Sequence, residues 1–88
     1  MELSTWKEMI QDEMDDNNDS FDNLAHSTLT EAEMREKFDC GFGGSEGQPF
    51  TVWTKNFVYF PVVYDGAEWV GSVPRNPCNV KTEHQGRQ

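Results

Sequence analysis

Basic residues, cysteines and long apolar runs are all scarce in this chain. Only seven lysines and arginines stand against sixteen aspartates and glutamates, which gives a net charge of -9. Proteins that follow a nucleic-acid backbone need a basic groove, so we do not expect direct nucleic-acid binding. No run of about 18 apolar residues occurs, and Met1-Glu2-Leu3-Ser4 lacks the basic and apolar regions of a signal peptide. We therefore expect a cytoplasmic protein that makes no membrane contact.

The two cysteines, Cys40 and Cys78, are too few to form a disulfide framework. In a reducing compartment such cysteines are more often small apolar residues than members of a bridge, and whether these two are bridged stays open. Neither cysteine lies at metal-ligand spacing from His26. His84 does follow Cys78, but it lies in or beside the C-terminal tail that we expect to be disordered. The sequence therefore predicts no structural metal and no cofactor.

A glycine-rich segment, Gly43-Gly44-Ser45-Glu46-Gly47, matches the G-x-S-x-G pattern of hydrolase nucleophile elbows. That turn needs a preceding strand, a following helix and a large parallel sheet, none of which this sequence predicts. A phosphate loop is also excluded, because no Gly-Lys-Ser/Thr follows and Glu46 would repel a phosphate. With no catalytic histidine evident, the sequence predicts that the protein is not an enzyme.

The spacing Asp15-x-Asn17-x-Asp19 is the spacing with which EF-hand loops begin. Ser20 stands where such a loop needs its glycine, and His26 stands where it needs a bidentate glutamate. We interpret the segment as an acidic loop with helix-capping roles, and leave a weak cation site at residues 15–19 open.

A chain of 88 residues has room for one domain with one modest core. We assign residues 1–78 to it, divided into an acidic helical part over 1–40, a glycine-rich connector over 41–48 and a β part over 49–78. Residues 79–88 contain a single apolar residue, so we expect a disordered tail.

The first half carries the signals of two or three short helices. Thr5 and Glu8 form a capping box, and the apolar residues after it recur at helical spacing and predict a helix over residues 4–15: Trp6, Met9, Ile10 and Met14. A polar loop then leads to a second short helix through Phe21, Leu24 and Ala25. A second capping box, Thr30 with Glu33, predicts a helix over residues 31–39.

The second half is aromatic and β-branched, and it predicts a three-stranded antiparallel meander over residues 50–54, 57–64 and 67–73. The turns Lys55-Asn56 and Asp65-Gly66 would pair Thr54 with Phe57 and Tyr64 with Ala67. We therefore expect an α+β fold, with two or three short N-terminal helices packed on one face of this sheet.

The expected register sorts the side chains into two faces. We expect the helices to cover the face that carries Trp53, Val58, Phe60, Val62, Tyr64, Trp69 and Val73. The opposite face has three polar residues, Thr54, Glu68 and Ser72. Its other residues are apolar or aromatic: Phe50, Val52, Phe57, Tyr59, Pro61, Val63 and Val70. Either the acidic half also covers this second face, or the face contacts another molecule.

Residues 1–46 hold thirteen of the sixteen acidic residues and only three basic ones. Carboxylates three or four residues apart on a helix lie about 5–6 Å apart, comparable in scale to the phosphates of a nucleic-acid strand. The acids could serve solubility alone, or they could bind a basic partner. The candidate partner-binding residues are Glu8, Asp12, Asp15, Asp16, Asp19, Asp22, Glu33 and Glu36, with the aromatic residues Phe57 and Tyr59.

The short chain, the acidic helical half and the aromatic hairpin around Tyr64-Asp65-Gly66-Ala67-Glu68-Trp69-Val70 resemble small phage-encoded inhibitors of host enzymes. Anti-CRISPR, anti-restriction and other DNA-mimic proteins belong to this class. The resemblance is one of size, charge and layout, and no residue role is transferred from it. It implies an inhibitor that occupies the nucleic-acid channel or a regulatory surface of a host defence nuclease, polymerase or topoisomerase.

The sequence thus favours a non-enzymatic inhibitor that binds a basic, nucleic-acid-handling host protein through an acidic, DNA-like surface. The alternative is a structural or adaptor module that forms a homodimer or a larger assembly through an apolar sheet face, with the acids serving solubility only.

Overall fold

A computed structural model describes residues 3–39, 47–64 and 67–85 and has an α+β fold. An 11-residue helix and a four-residue helix lie in the first half. The elements in chain order are β1 (Leu3–Thr5), α1 (Trp6–Asp16), a 3-10 turn (Phe21–Asn23), β2 (Leu24–Ser27), α2 (Glu31–Met34), β3 (Lys37–Asp39), β4 (Val52–Thr54), β5 (Phe57–Tyr64) and β6 (Ala67–Pro74).

The strands form two antiparallel sheets, so the prediction of a single three-stranded sheet was wrong. The larger sheet has the order β2-β4-β5-β6, and the smaller one pairs β1 with β3. The segment expected to be a second short helix instead forms a 3-10 turn followed by β2, which pairs with β4. Backbone pairing with a neighbouring strand outweighs the weak local helix preference there.

The predicted register of the three meander strands is confirmed. Tyr64 lies opposite Ala67, Phe60 opposite Gly71, and Tyr59 opposite Val52. Pro61 is tolerated in the middle strand because it lies beyond the end of β4, where no ladder bond is lost.

Helix α1 begins and ends with specific caps. Thr5 Oγ1 accepts from the Glu8 N–H at 3.1 Å, and the Glu8 carboxylate accepts from the Thr5 N–H at 3.3 Å, as the capping box predicted. At the other end Asn18 adopts a positive φ of 58°, and the Asp19 N–H donates to the Met14 carbonyl at 2.8 Å. This Schellman turn reverses the chain and brings Asp19 back towards the sheet.

The second predicted capping box, Thr30 with Glu33, is present, but the helix that follows is a single turn. The expected helix over residues 31–39 was wrong because Lys37–Asp39 forms β3, and Phe38 lies opposite Ser4 of β1. The Phe38 ring packs against the ring of Trp6, with centroids 4.8 Å apart. That contact and the β1 pairing hold the segment extended.

The core lies between α1 and one face of the larger sheet, here called the inner face. Trp6, Ile10 and Met14 of α1 pack in a cluster with the sheet residues Val52, Tyr59 and Val70 and with Phe50, Leu29 and Met34. Tyr59 and Val52 are fully buried. The sequence had assigned the opposite face to the core, so that assignment was wrong; the reason is the set of hydrogen bonds described below.

Some expectations lie outside the described residues, namely those on Cys40, on the motif residues 43–46 and on the Asp65-Gly66 turn. Cys78 is a free, exposed thiol. Residues 75–85 form no helix or strand, and the Gln85 side chain lies close to Gly71 of β6. Across the described parts of the chain, no helix is long and apolar enough to cross a membrane.

Candidate partner-binding surface

The inner face carries hydroxyl groups that meet carboxylates at the end of α1. The Schellman turn places Asp19 over the sheet, where its Oδ2 accepts from Thr54 Oγ1 at 2.6 Å and from the Tyr59 hydroxyl at 2.7 Å. Thr54 and Tyr59 are both fully buried. One carboxylate oxygen therefore satisfies two hydroxyls that burial removes from water.

Two further side chains of α1 and its cap extend this network. Asn17 donates from Nδ2 to the Tyr59 hydroxyl at 3.3 Å and to Ser72 Oγ at 2.9 Å. Ser72 in turn donates to the Glu13 carboxylate at 2.6 Å. Within residues 3–39, 47–64 and 67–85, every buried side-chain nitrogen or oxygen has a hydrogen-bond partner. The polar residues of this face are thus compatible with burial.

The network changes the acidity of its members. Burial alone would raise the pKa of Asp19, but hydrogen bonds from Thr54, Asn23 and Tyr59 and from the backbone of Ser20 outweigh it and lower that pKa below 3.8. Burial raises the pKa of Tyr59 far above its ordinary value, and although the Asn17 hydrogen bond opposes this, the nearby carboxylates Asp19 and Glu13 raise it further. Asp19 is therefore ionised and Tyr59 is protonated at neutral pH.

Three of the eight candidate acids are engaged within the protein. Glu8 and Glu33 complete the two capping boxes, although the Glu8 side chain is still exposed. Asp19 binds the inner face, so it is a structural residue rather than a free partner contact. Replacing it would disturb the fold and any binding surface at once.

The other five candidate acids are exposed. Asp12, Asp15 and Asp16 lie on the outward side of α1, opposite the buried stripe of Trp6, Ile10 and Met14. Asp15 accepts from the side-chain amide of Gln11, and none of the three forms an ion pair with another described residue. Asp22 and Glu36 are exposed elsewhere in the same half. We call Glu8, Asp12, Asp15 and Asp16 the acidic stripe.

The aromatic members of the predicted set are not surface anchors. Tyr59 has no exposed surface, and Phe57 is half-buried and packs against the core cluster. Their burial was not predicted from the sequence, because the helices were expected to cover the opposite face of the sheet. Trp53, Phe60 and Trp69 lie on the opposite, outer face and are also half-buried.

The arrangement does not favour small-ligand chemistry. Asp15 accepts from Gln11, whereas Asn17 and Asp19 both bind the Tyr59 hydroxyl. The described residues contain no cluster of three or more potential metal ligands. A cleft beside Glu13 and Ser72 has a volume of about 190 Å³. That is smaller than the roughly 300–1,000 Å³ of ligand pockets. A second cleft, beside Pro74 and Cys78, has a volume of about 320 Å³, at the lower end of that range.

Compared with known protein families, with characterised proteins and with solved structures, the chain matches none of them.

Proposed function

We propose that the protein is a non-enzymatic inhibitor that binds a basic, nucleic-acid-handling host protein through the acidic stripe of α1. The observation that carries this proposal is the spacing and exposure of Glu8, Asp12, Asp15 and Asp16 on the outward side of the helix. Residues four apart on a helix lie about 5–6 Å apart, so the carboxylates form a regular row of negative charge.

The stripe is not neutralised within the described parts of the chain. Among them, Lys7 and Arg35 both bind Glu31, with Lys7 Nζ 2.9 Å from Glu31 Oε2. Two of the three bases of the acidic half are thus taken up by one glutamate that lies outside the stripe. Uncompensated charge of one sign repels itself and attracts a partner of opposite charge.

Rigidity of α1 also supports the proposal. The helix is fixed by caps at both ends and by the buried side chains of Trp6, Ile10 and Met14. A charged surface that is already ordered loses little conformational entropy on binding. The carboxylates would steer a basic channel towards the helix, and the association would be fast and sensitive to salt.

This proposal keeps the partner classes that the resemblance implies, a host defence nuclease, polymerase or topoisomerase, with the host cytoplasm as the place of action. It does not keep dimerisation through the sheet face that carries Tyr59, because that face is buried under α1. In the simpler alternative, the acids only keep the protein soluble. That alternative predicts that no partner needs the acidic stripe for binding.

The experiment compares three forms of the protein as tagged baits in lysate of the native cell at low salt. The first is the wild type, the second carries Asp12→Asn, Asp15→Asn and Asp16→Asn, and the third carries the charge-preserving changes Asp12→Glu, Asp15→Glu and Asp16→Glu. Captured proteins are identified by mass spectrometry after release with competing DNA and then with raised salt.

We expect the wild type and the glutamate form to retain one nucleic-acid-binding protein that both DNA and salt release. The asparagine form should lose it, because each removed charge weakens an attraction that is already screened by salt. Purified partner should then be inhibited by the wild type and not by the asparagine form. A partner that the asparagine form retains, or that neither treatment releases, would contradict the proposal.

A further inference from the structure

After β6 the chain turns back and lies against the edge of the larger sheet. The side chain of Gln85 lies next to Gly71 on the outer face of β6. Thr82 lines a cleft together with Ser72, which belongs to the inner face. Because β6 is the last strand of the sheet, a segment that touches both of its faces passes over its free edge. We call residues 79–85 the C-terminal segment.

The C-terminal segment is held loosely. All of its residues are exposed, and it forms no helix or strand. No hydrogen bond or ion pair joins it to the rest of the described chain, since the Gln85 amide donates only to the Glu83 carbonyl within the segment, at 3.2 Å. A segment with so few attachments opens at a small cost in free energy. It is therefore a removable cover.

The cleft under this segment suits the side chain of a lysine or an arginine. Its volume is about 190 Å³, and Phe57 and Pro74 form apolar walls along which methylene groups can lie. The Glu13 carboxylate supplies the negative charge that a cationic head group needs. Its Oε2 accepts from Ser72 at 2.6 Å, whereas its Oε1 accepts from no other described residue.

Lys81 of the C-terminal segment lines the same cleft as Glu13. It forms no ion pair with another described residue, so its ammonium group is not bound elsewhere in the described chain. Helix α1 carries five acids and one base, whereas residues 79–88 carry two bases and one acid. The helix and the end of the chain therefore attract each other, and this attraction favours a lysine in the cleft.

We infer that the cleft is a subsite for a basic side chain of the partner, and that Lys81 occupies it in cis until the partner displaces the C-terminal segment. The inference rests on the proposed function. Glu13 and Asp16 are three residues apart and hence neighbours on the helix, so a partner attracted by the acidic stripe meets Glu13 next. Because opening the cover costs free energy, only a partner with a well-placed basic side chain gains from it, which makes the subsite a means of selection among basic proteins.

Binding of a fluorescein-labelled oligolysine peptide at low salt, followed by fluorescence anisotropy, tests the inference. Lys81→Gln removes the occupant of the cleft, and Lys55→Gln is the matched control, because Lys55 is also exposed but does not line the cleft. Each change removes one positive charge and strengthens the general attraction. We expect Lys81→Gln to bind the peptide about threefold more tightly than Lys55→Gln, within the range of one surface ion pair. Equal affinities would overturn the inference.

Glu13→Gln tests whether that difference arises in the cleft. The glutamine can still accept from Ser72, so the contact between α1 and β6 is kept. We expect weaker binding of the peptide, and no remaining difference between Lys81→Gln and Lys55→Gln when each is combined with Glu13→Gln. A difference that survives the loss of the Glu13 charge would place the action of Lys81 elsewhere and overturn the inference.

Heteronuclear NMR spectra follow the displacement itself. When the oligolysine peptide is added to the wild type, the amide signals of residues 79–85 should move towards those of an isolated peptide of the same sequence. Signals that stay in place while the peptide binds would show that the segment is not displaced.

The anisotropy titration also separates this inference from the proposed function. If the form with Asp12→Asn, Asp15→Asn and Asp16→Asn binds the peptide as tightly as the wild type, the proposed function fails and the inference fails with it. If that form loses the peptide while Lys81→Gln and Lys55→Gln bind it equally, the inference alone fails.

Discussion

The two faces of the larger sheet differ in a way that composition alone misrepresents. The inner face contains Thr54, Tyr59, Glu68 and Ser72, and yet it forms the core with α1. The outer face has no charged residue and carries two tryptophans, and yet it has no helix over it in the described residues. The more apolar face is therefore the one that α1 does not cover.

The difference shows that burial follows hydrogen-bond satisfaction as well as hydrophobicity. A buried hydroxyl is costly only when it lacks a partner, and the turn after α1 supplies Asp19 and Asn17 as partners for the inner face. At the C-terminal end of α1, polar groups of the helix cap bond to hydroxyls of the sheet. Along the rest of α1, apolar side chains of the helix pack on apolar side chains of the sheet. No helix within residues 3–39, 47–64 and 67–85 matches the outer face in this way.

Truncating one residue on each face should give the largest contrast. Tyr59→Ala removes a fully buried ring and two hydrogen bonds, so we expect a loss of about 3–5 kcal/mol in the free energy of unfolding. Phe60→Ala, at the neighbouring position on the outer face, should cost about 1 kcal/mol, because its ring is only half-buried. Urea unfolding followed by circular dichroism measures both.

Tyr59→Phe is the control for the ring, since it removes the hydroxyl alone and should cost about 1–2 kcal/mol. If Phe60→Ala were as damaging to the monomer as Tyr59→Ala, the outer face would be part of the folding core, and the distinction between the faces would fail.

A smaller contrast in stability is expected between neutralising Asp19, which belongs to the hydrogen-bond network of the inner face, and neutralising Asp12, which lies outside that network. Asp19→Asn replaces an acceptor of two short hydrogen bonds, and we expect a loss of about 1–2 kcal/mol in stability, moderated by its partial exposure. Asp12→Asn, which has no hydrogen bond or ion pair to another described residue, should change stability by less than about 0.5 kcal/mol. Equal unfolding midpoints in urea for the two variants would show that Asp19 does not hold the inner face.

The pH dependence of that contrast should be the smallest effect. The pKa of Asp19 is lower in the folded protein than its ordinary value of 3.8, so ionised Asp19 stabilises the fold. That contribution is complete above about pH 5 and is lost as the pH falls through 3.8 towards the lower folded value. The difference in urea midpoint between the wild type and Asp19→Asn should therefore shrink between pH 7 and pH 3. A difference that stays constant, or that grows in acid, would contradict the network.

Much of the fold follows from local signals in the sequence. The turn residues and the alternation of apolar side chains predicted the register of β4, β5 and β6, and the two capping boxes predicted where α1 and α2 begin. These features depend on residues close together in the chain. The strands β2 and β3 could not be predicted in this way, because each is only a few residues long and is defined by a distant partner.

The candidate site was predictable in part. The exposed carboxylates of α1 follow from helical spacing once the buried stripe is recognised, as with Asp12 and Asp16. Asp19 could not be separated from them, since its role depends on a left-handed Asn18 and on hydroxyls 35 and 40 residues away. Tyr59 was misplaced because a register fixes which residues share a face but not which face a helix covers.

Gly47 lies directly against the ring of Trp6, and a Cβ there would be 2.6 Å from Trp6 Cζ2 and 2.7 Å from Phe38 Cζ. The Trp6 indole N–H also donates to the Gln48 carbonyl at 3.0 Å. Any larger residue at position 47 would force these rings apart, whereas the exposed acids tolerate exchange for one another. In evolutionary terms, we therefore expect the pair of Trp6 and Gly47 to tolerate fewer substitutions than the exposed acids.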